Sequence, residues 1–147
     1  MIREIEKLRI RRPREFDDLF KELTGKLPYR ESESPFVYMY DVLVFAASLG
    51  LKLNLREPFS QTDEPIMYGQ MKSNRNFETI VAAISVLNNG GDHTCLSAER
   101  AEERIMLFEE YACGGLRFMA EALDEYVGTP RVFIESLVSQ HLDSDFE

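Results

Sequence analysis

One feature constrains this chain more than any other. Ala101, Ile105, Phe108, Ala112, Leu116, Met119, Leu123 and Val127 recur at steps of three or four residues. That repeat places side chains on a single face of a long α-helix. A helix with such a face must bury it against other elements. Inside the stripe stands Phe108-Glu109-Glu110-Tyr111-Ala112-Cys113-Gly114-Gly115-Leu116. Each glycine in a helix interior costs about 1 kcal/mol relative to alanine. A helix keeps a glycine pair where another backbone comes close or where its axis kinks. Ala46 and Ala47 are the small residues of another apolar segment, which makes that segment the expected neighbour. Small residues facing small residues bring two helices to the short end of the roughly 8–10 Å interaxial range.

The rest of the chain divides around this helix. Pro13 suits a first helical position, with Phe16, Leu19, Phe20 and Leu23 following at helical spacing and Gly25 as the stop. Residues 26–36 form a loop. Residues 37–49 form a second helix, apolar nearly all round and therefore central, ended by Gly50. A third covers residues 74–89, with Phe77, Ile80, Val81, Ile84 and Leu87 inward. Ser97 is the expected N-cap of the long helix, and Gly128 with Pro130 closes it. A last helix covers 131–142, with Phe133, Leu137 and Val138 inward. Residues 5–11 alternate loosely, and the pattern allows them to pair with Pro65-Ile66-Met67-Tyr68 as a short two-stranded element. The expected fold is mainly α: a single compact domain, 1–147, of about five helices with that optional β element. Residues 1–12 form a basic N-terminal arm and residues 143–147 an acidic tail.

Charge is unevenly spread. The net charge is −9. Yet Arg3, Lys7, Arg9, Arg11, Arg12 and Arg14 outnumber Glu4 and Glu6 at the N-terminus. An acidic body gains little of the counterion-release energy that drives nucleic-acid binding. The basic segment is as well suited to pairing with acidic groups of this chain or of a partner. Hydrophobic residues make up 44% of the chain, enough for a packed core. Two cysteines, Cys95 and Cys113, fit a reducing compartment. No secretory pattern or membrane-length apolar run occurs, so a soluble cytoplasmic protein is expected.

Residues that carry chemistry are sparse. His93-Thr94-Cys95 is the one close His/Cys grouping, and it lacks the second pair of a closed zinc site, so a solvated loop is expected there. No phosphate-cradling glycine loop is present, and no cofactor is expected. Cys113 is read as a small buried hydrophobe. Glu102-Glu103 and Glu109-Glu110 offer paired carboxylates, best read as a helix face laced with ion pairs to Arg100 and Arg104. Arg56, Glu57, Asp63 and Glu64 cluster without naming a reaction.

Two segments resemble a known family. Asp41-Val42-Leu43-Val44-Phe45-Ala46-Ala47-Ser48-Leu49-Gly50 is one, and Arg104-Ile105 through Phe108 to Leu116 is the other. Arg56-Glu57-Pro58-Phe59 and Glu64-Pro65-Ile66 fit a looser pattern between them. Together they are similar to Dnd system-associated protein 4, a family of small proteins found with bacterial DNA phosphorothioation systems. The resemblance spans roughly residues 36–127. It implies an antiphage-defence context and supplies no catalytic residue.

The functional expectation is therefore an accessory or adaptor subunit without enzymatic activity, holding a protein partner through helix faces. A DNA-processing ATPase or nuclease of the same system is the expected partner, and homo-oligomerisation is left open. Glu109, Glu110, Tyr111, Gly114 and Gly115 are the candidate partner or close-packing surface. Direct nucleic-acid binding through Arg3, Lys7, Arg9, Arg11, Arg12 and Arg14 is the rival, and an acidic DNA mimic a third option.

Overall fold

The computed structural model describes residues 5–25 and 34–142. Arg3 and the acidic tail lie outside these residues. Strand β1 (Arg9–Pro13) leads through a 3-10 turn (Arg14–Phe16) into α1 (Asp17–Leu23). Then come α2 (Met39–Leu53), β2 (Thr62–Met67), the single-turn α3 (Tyr68–Met71) and α4 (Phe77–Asn88). Two 3-10 turns, His93–Leu96 and Ala98–Arg100, precede α5 (Ala101–Glu125). The described chain ends with α6 (Pro130–Leu137) and a π turn (Val138–Leu142).

The antiparallel α2/α5 pair expected from the small residues is the spine, with α4 against α5 and the β1/β2 ribbon across α5. Val42, Leu43, Ala46, Ala47 and Leu49 of α2 meet Phe108, Ala112, Leu116 and Met119 of α5 in one core. Phe77 joins the layers, with its ring edge-on to both Tyr68 and Phe108 at 5.0 and 5.2 Å. Such aromatic pairs add about 0.5–1.5 kcal/mol beyond the area they bury.

The two strands pair antiparallel, Arg9 opposite Met67 and Ile10 opposite Ile66. From Ile10–Ile66 to Arg12–Asp63, β2 uses one residue more than β1. Pro65 sits in that bulge, where its missing N–H removes no ladder bond. Ile10 is fully buried and Arg9 and Arg11 face outward, so the strand alternates as its pleat requires.

Several boundaries depart from the sequence expectation. Pro13 ends β1 with ψ 128, so the first α-helix starts at Asp17. Gly50 does not end α2. The helix runs on to Leu53, and Asn54 closes it in the left-handed region with φ 56. Tertiary contact decides this: a Cβ at Gly50 would collide with the Tyr111 carbonyl, so the glycine serves packing rather than termination. α4 begins at Phe77, and Leu87 is 65% exposed because it lies to one side of the buried face formed by Phe77, Val81, Ile84 and Ser85. Ser97 caps the 3-10 turn, not α5, and without its side chain. Arg104 binds that segment instead, donating to the Cys95 and Ser97 carbonyls at 2.9 and 2.6 Å. Cys95 is consequently buried, although His93 and Thr94 are exposed as a solvated loop would be. α5 ends at Glu125, which leaves Val127 95% exposed. Pro130 opens α6, with the Thr129 hydroxyl accepting from Val132 N–H. No helix among the described residues is long and apolar enough to cross a membrane.

Candidate functional site on the central helix

The segment Glu109–Arg117 faces three other parts of the chain in turn. Glu109 sits one position after Phe108, beside the core stripe, and is 3% exposed. A carboxylate buried that far requires a charged, hydrogen-bonded partner. β1 supplies it twice. The backbone N–H of Arg11 donates to Glu109 Oε2 at 2.7 Å. The Arg11 guanidinium forks onto the same carboxylate, with Nη2 to Oε1 at 2.9 Å and Nε to Oε1 at 3.1 Å. This pair locks the free edge of β1 to α5, and it holds the Arg11 pKa above its ordinary value. The guanidinium also lies over the Phe59 ring, 5.1 Å from its centre.

Glu110 and Glu57 fasten the segment after α2. Arg56 Nε donates to Glu110 Oε1 at 2.6 Å, and Glu57 N–H donates to the Glu110 carbonyl at 3.0 Å. Arg117, farther along α5, reaches Glu57 with Nε at 2.7 Å and Nη2 at 2.6 Å, and Glu15 with Nη2 at 2.7 Å. The Arg117 hydrogen bonds hold the Glu57 carboxyl below its usual range. Cys113 Sγ donates to Glu57 Oε2 at 3.6 Å. Burial, then the Glu57 charge, pushes that thiol up to about 12, so it stays protonated at neutral pH.

The glycines make the third set of contacts. A Cβ on Gly115 would collide with the Ala46 carbonyl oxygen and stand 2.7 Å from its carbon. One on Gly114 would collide with the Leu55 carbonyl oxygen and stand 2.6 Å from its carbon. The α2/α5 spine and the segment after α2 therefore approach α5 backbone to backbone. Tyr111 is buried, and its hydroxyl donates to Asn88 Oδ1 at 3.3 Å. Glu109, Tyr111, Gly114 and Gly115 are thus inside the molecule, with only Glu110 at the boundary. Their observed contacts are internal close packing. The ion pairs span 54 to 102 residues of sequence, which hides them from a reading based on helical spacing. The visible signal was a carboxylate beside a core stripe. Of the ion pairs expected along the helix, Arg100–Glu103 forms at 2.8 Å, while Arg104 turns to backbone carbonyls.

The basic residues of the N-terminus separate. Lys7 and Arg9 are exposed. Arg11 is committed to Glu109. Arg12 is 6% exposed, with Nε donating to the Glu64 carbonyl at 3.0 Å and its guanidinium over the Phe20 ring. Arg14 is exposed and donates to the Thr62 carbonyl at 3.0 Å. A single basic face made of all six is not formed, because Arg12 points into the core. Among the described residues no cluster of three or more His, Cys, Asp or Glu is arranged to hold a metal.

Outside the Arg11–Glu109 lock, a groove of 510 Å³ runs between β1 and the first half of α5. Leu8, Ile105 and Met106 contribute its apolar lining, with Lys7 and Arg9 on the strand side.

A family model described as DNA sulphur modification system-associated protein 4 matches residues 9–146. The chain belongs to this family. The match takes in β1 and α6, which lie beyond the two sequence blocks that carried the resemblance. The strand that caps Glu109 and the last helix therefore lie within the residues that the family model matches. Comparisons with curated proteins and with solved structures find no match.

Proposed function

We propose that the chain is a non-catalytic accessory subunit of a DNA sulphur modification system, acting by protein–protein contact in an antiphage context. Family membership supports the association with such a system. The observation that carries the mechanism is how α5 and the segment after α2 use their reactive groups. Glu109, Glu110, Glu57 and the Cys113 thiol all bind other parts of the same chain, so their chemistry is spent on architecture. A domain held this firmly presents a stable surface to a partner at little ordering cost. The partner we propose is a DNA-processing ATPase or nuclease of the same system. Co-expression with the system's other subunits, followed by size-exclusion chromatography with light scattering, tests this. A stoichiometric complex is expected. Turnover of ATP or DNA by the purified chain alone would overturn the non-catalytic assignment.

Nucleic-acid binding through the N-terminal basic residues has less support, since Arg11 and Arg12 are engaged within the fold. Weak, salt-sensitive duplex binding at most is expected of the isolated protein.

A further inference from the structure

We infer that the groove between β1 and α5 receives an acidic segment of a partner protein, seated by a bulky apolar side chain. This rests on the protein-contact function proposed above and names the partner's chemistry at one surface.

The groove's helix wall carries residues 102, 105, 106 and 109, one face over two turns, or about 10 Å of axis. Its other wall runs from Lys7, in the turn before β1, through Leu8 to Arg9 and Arg11 of the strand. A groove of 510 Å³ between these walls has room for a few residues of a partner chain. Met106 is 40% exposed at the helix wall, and Met67 is 39% exposed on β2 opposite Arg9. Methionine side chains adapt to varied apolar partners, which suits a docking floor.

Charge selects among occupants. Within a chain of net charge −9, the side chains of Lys7 and Arg9 stand exposed on this wall with no ion pair or hydrogen bond among the described residues. Arg11 and Glu109 neutralise each other. Glu102 is exposed in the first turn of α5, where the positive end of the helix dipole offsets its charge. The unpaired charge on the strand wall is thus positive, and the wall facing it presents Ile105 and Met106 beside Glu102. An occupant with carboxylates toward β1 and an aliphatic or aromatic side chain toward Ile105 and Met106 satisfies both. A phosphate backbone satisfies only the first, and it leaves the apolar floor without a partner.

A random dodecapeptide display library panned on the full chain tests this. Enrichment of sequences combining Asp or Glu with Leu, Ile, Phe or Met is expected. Binding of a selected synthetic peptide should weaken about tenfold in Lys7→Glu/Arg9→Glu and in Met106→Glu. All three positions are exposed, so the variants should keep the wild-type melting temperature. No enrichment, or selected peptides that ignore these substitutions, would overturn the assignment. So would a short DNA duplex that binds tightly at about 150 mM salt and is lost in Lys7→Glu/Arg9→Glu, since the groove would then be a nucleic-acid surface. Co-expression separates this inference from the function it rests on. A wild-type complex that survives Lys7→Glu/Arg9→Glu removes the groove assignment and leaves the protein-contact function standing. A wild-type chain that forms no complex removes both.

Discussion

The two flanks of α5 are held by opposite means. Toward α2 and the Leu55 backbone, contact is made by what is missing: Gly114, Gly115 and, from the other helix, Gly50 bring main chain against main chain. Toward β1 and residues 56–57, contact is made by long charged side chains meeting carboxylates. The first kind has no adjustable part, because a carbonyl oxygen inside a helix cannot swing away from an added methyl group. The second has several rotatable bonds per residue and a route to water. The glycine flank should therefore be brittle to small changes, and the charged flank tolerant of them but sensitive to pH.

The sharpest way to break that contrast is Gly115→Leu. The side chain must force α2 and α5 apart, and a loss of about 3 kcal/mol or more is expected in urea denaturation. Gly115→Ala should also destabilise, by about 2 kcal/mol, because even its Cβ collides with the Ala46 carbonyl and the roughly 1 kcal/mol gain in helix propensity does not offset this. A variant as stable as wild type would show that the backbones are not in contact.

On the charged flank, Arg11→Ala leaves the Glu109 carboxylate nearly without solvent and holding one backbone N–H. A loss of about 2–3 kcal/mol is expected, below the full value for a buried pair because the Arg11 side chain is 45% exposed. A double-mutant cycle of Arg11→Ala with Glu109→Ala should give a coupling of about 1–2 kcal/mol. Additive effects would reduce the lock to two independent contacts.

The pH effect is smaller. Arg117 holds the folded Glu57 carboxyl below its unfolded value, and Lys21 does the same for Asp17. Between the folded and unfolded values the unfolded chain binds more protons, so stability rises with pH there. The contribution is present above the unfolded carboxylate range of about 4 and is lost as pH falls through the lower folded value. Glu57→Gln should flatten this acid limb, and an unchanged limb would show the Arg117 bond to be weak in solution. Least in energy but easily measured is Cys113. With its thiol pushed up to about 12, it should resist alkylation in native protein at pH 8 and react only on unfolding. Rapid native labelling would show that the segment over Gly114 opens readily.

Periodicity alone determined much of this protein. The α5 stripe, the apolar second helix and the glycine pair were legible, because such patterns are local properties; the optional strand pairing of residues 5–11 with 65–68 was met only in part, since the strands are Arg9–Pro13 and Thr62–Met67. The small residues at Ala46 and Gly115 also pointed to each other, since close approach requires small residues on both sides. Tertiary structure decided the rest. Gly50 reads as a stop until the Tyr111 carbonyl is placed against it, and Pro13 reads as a helix start until β2 claims its strand. Glu109 reads as one of a solvated pair until Arg11 reaches it from 98 residues away. Burial of that carboxylate depends on which strand lies over the helix, and no spacing within α5 encodes it. The basic N-terminus likewise divided, among its described residues, into a core residue, a lock and three exposed cations only when the pleat of β1 met the fold.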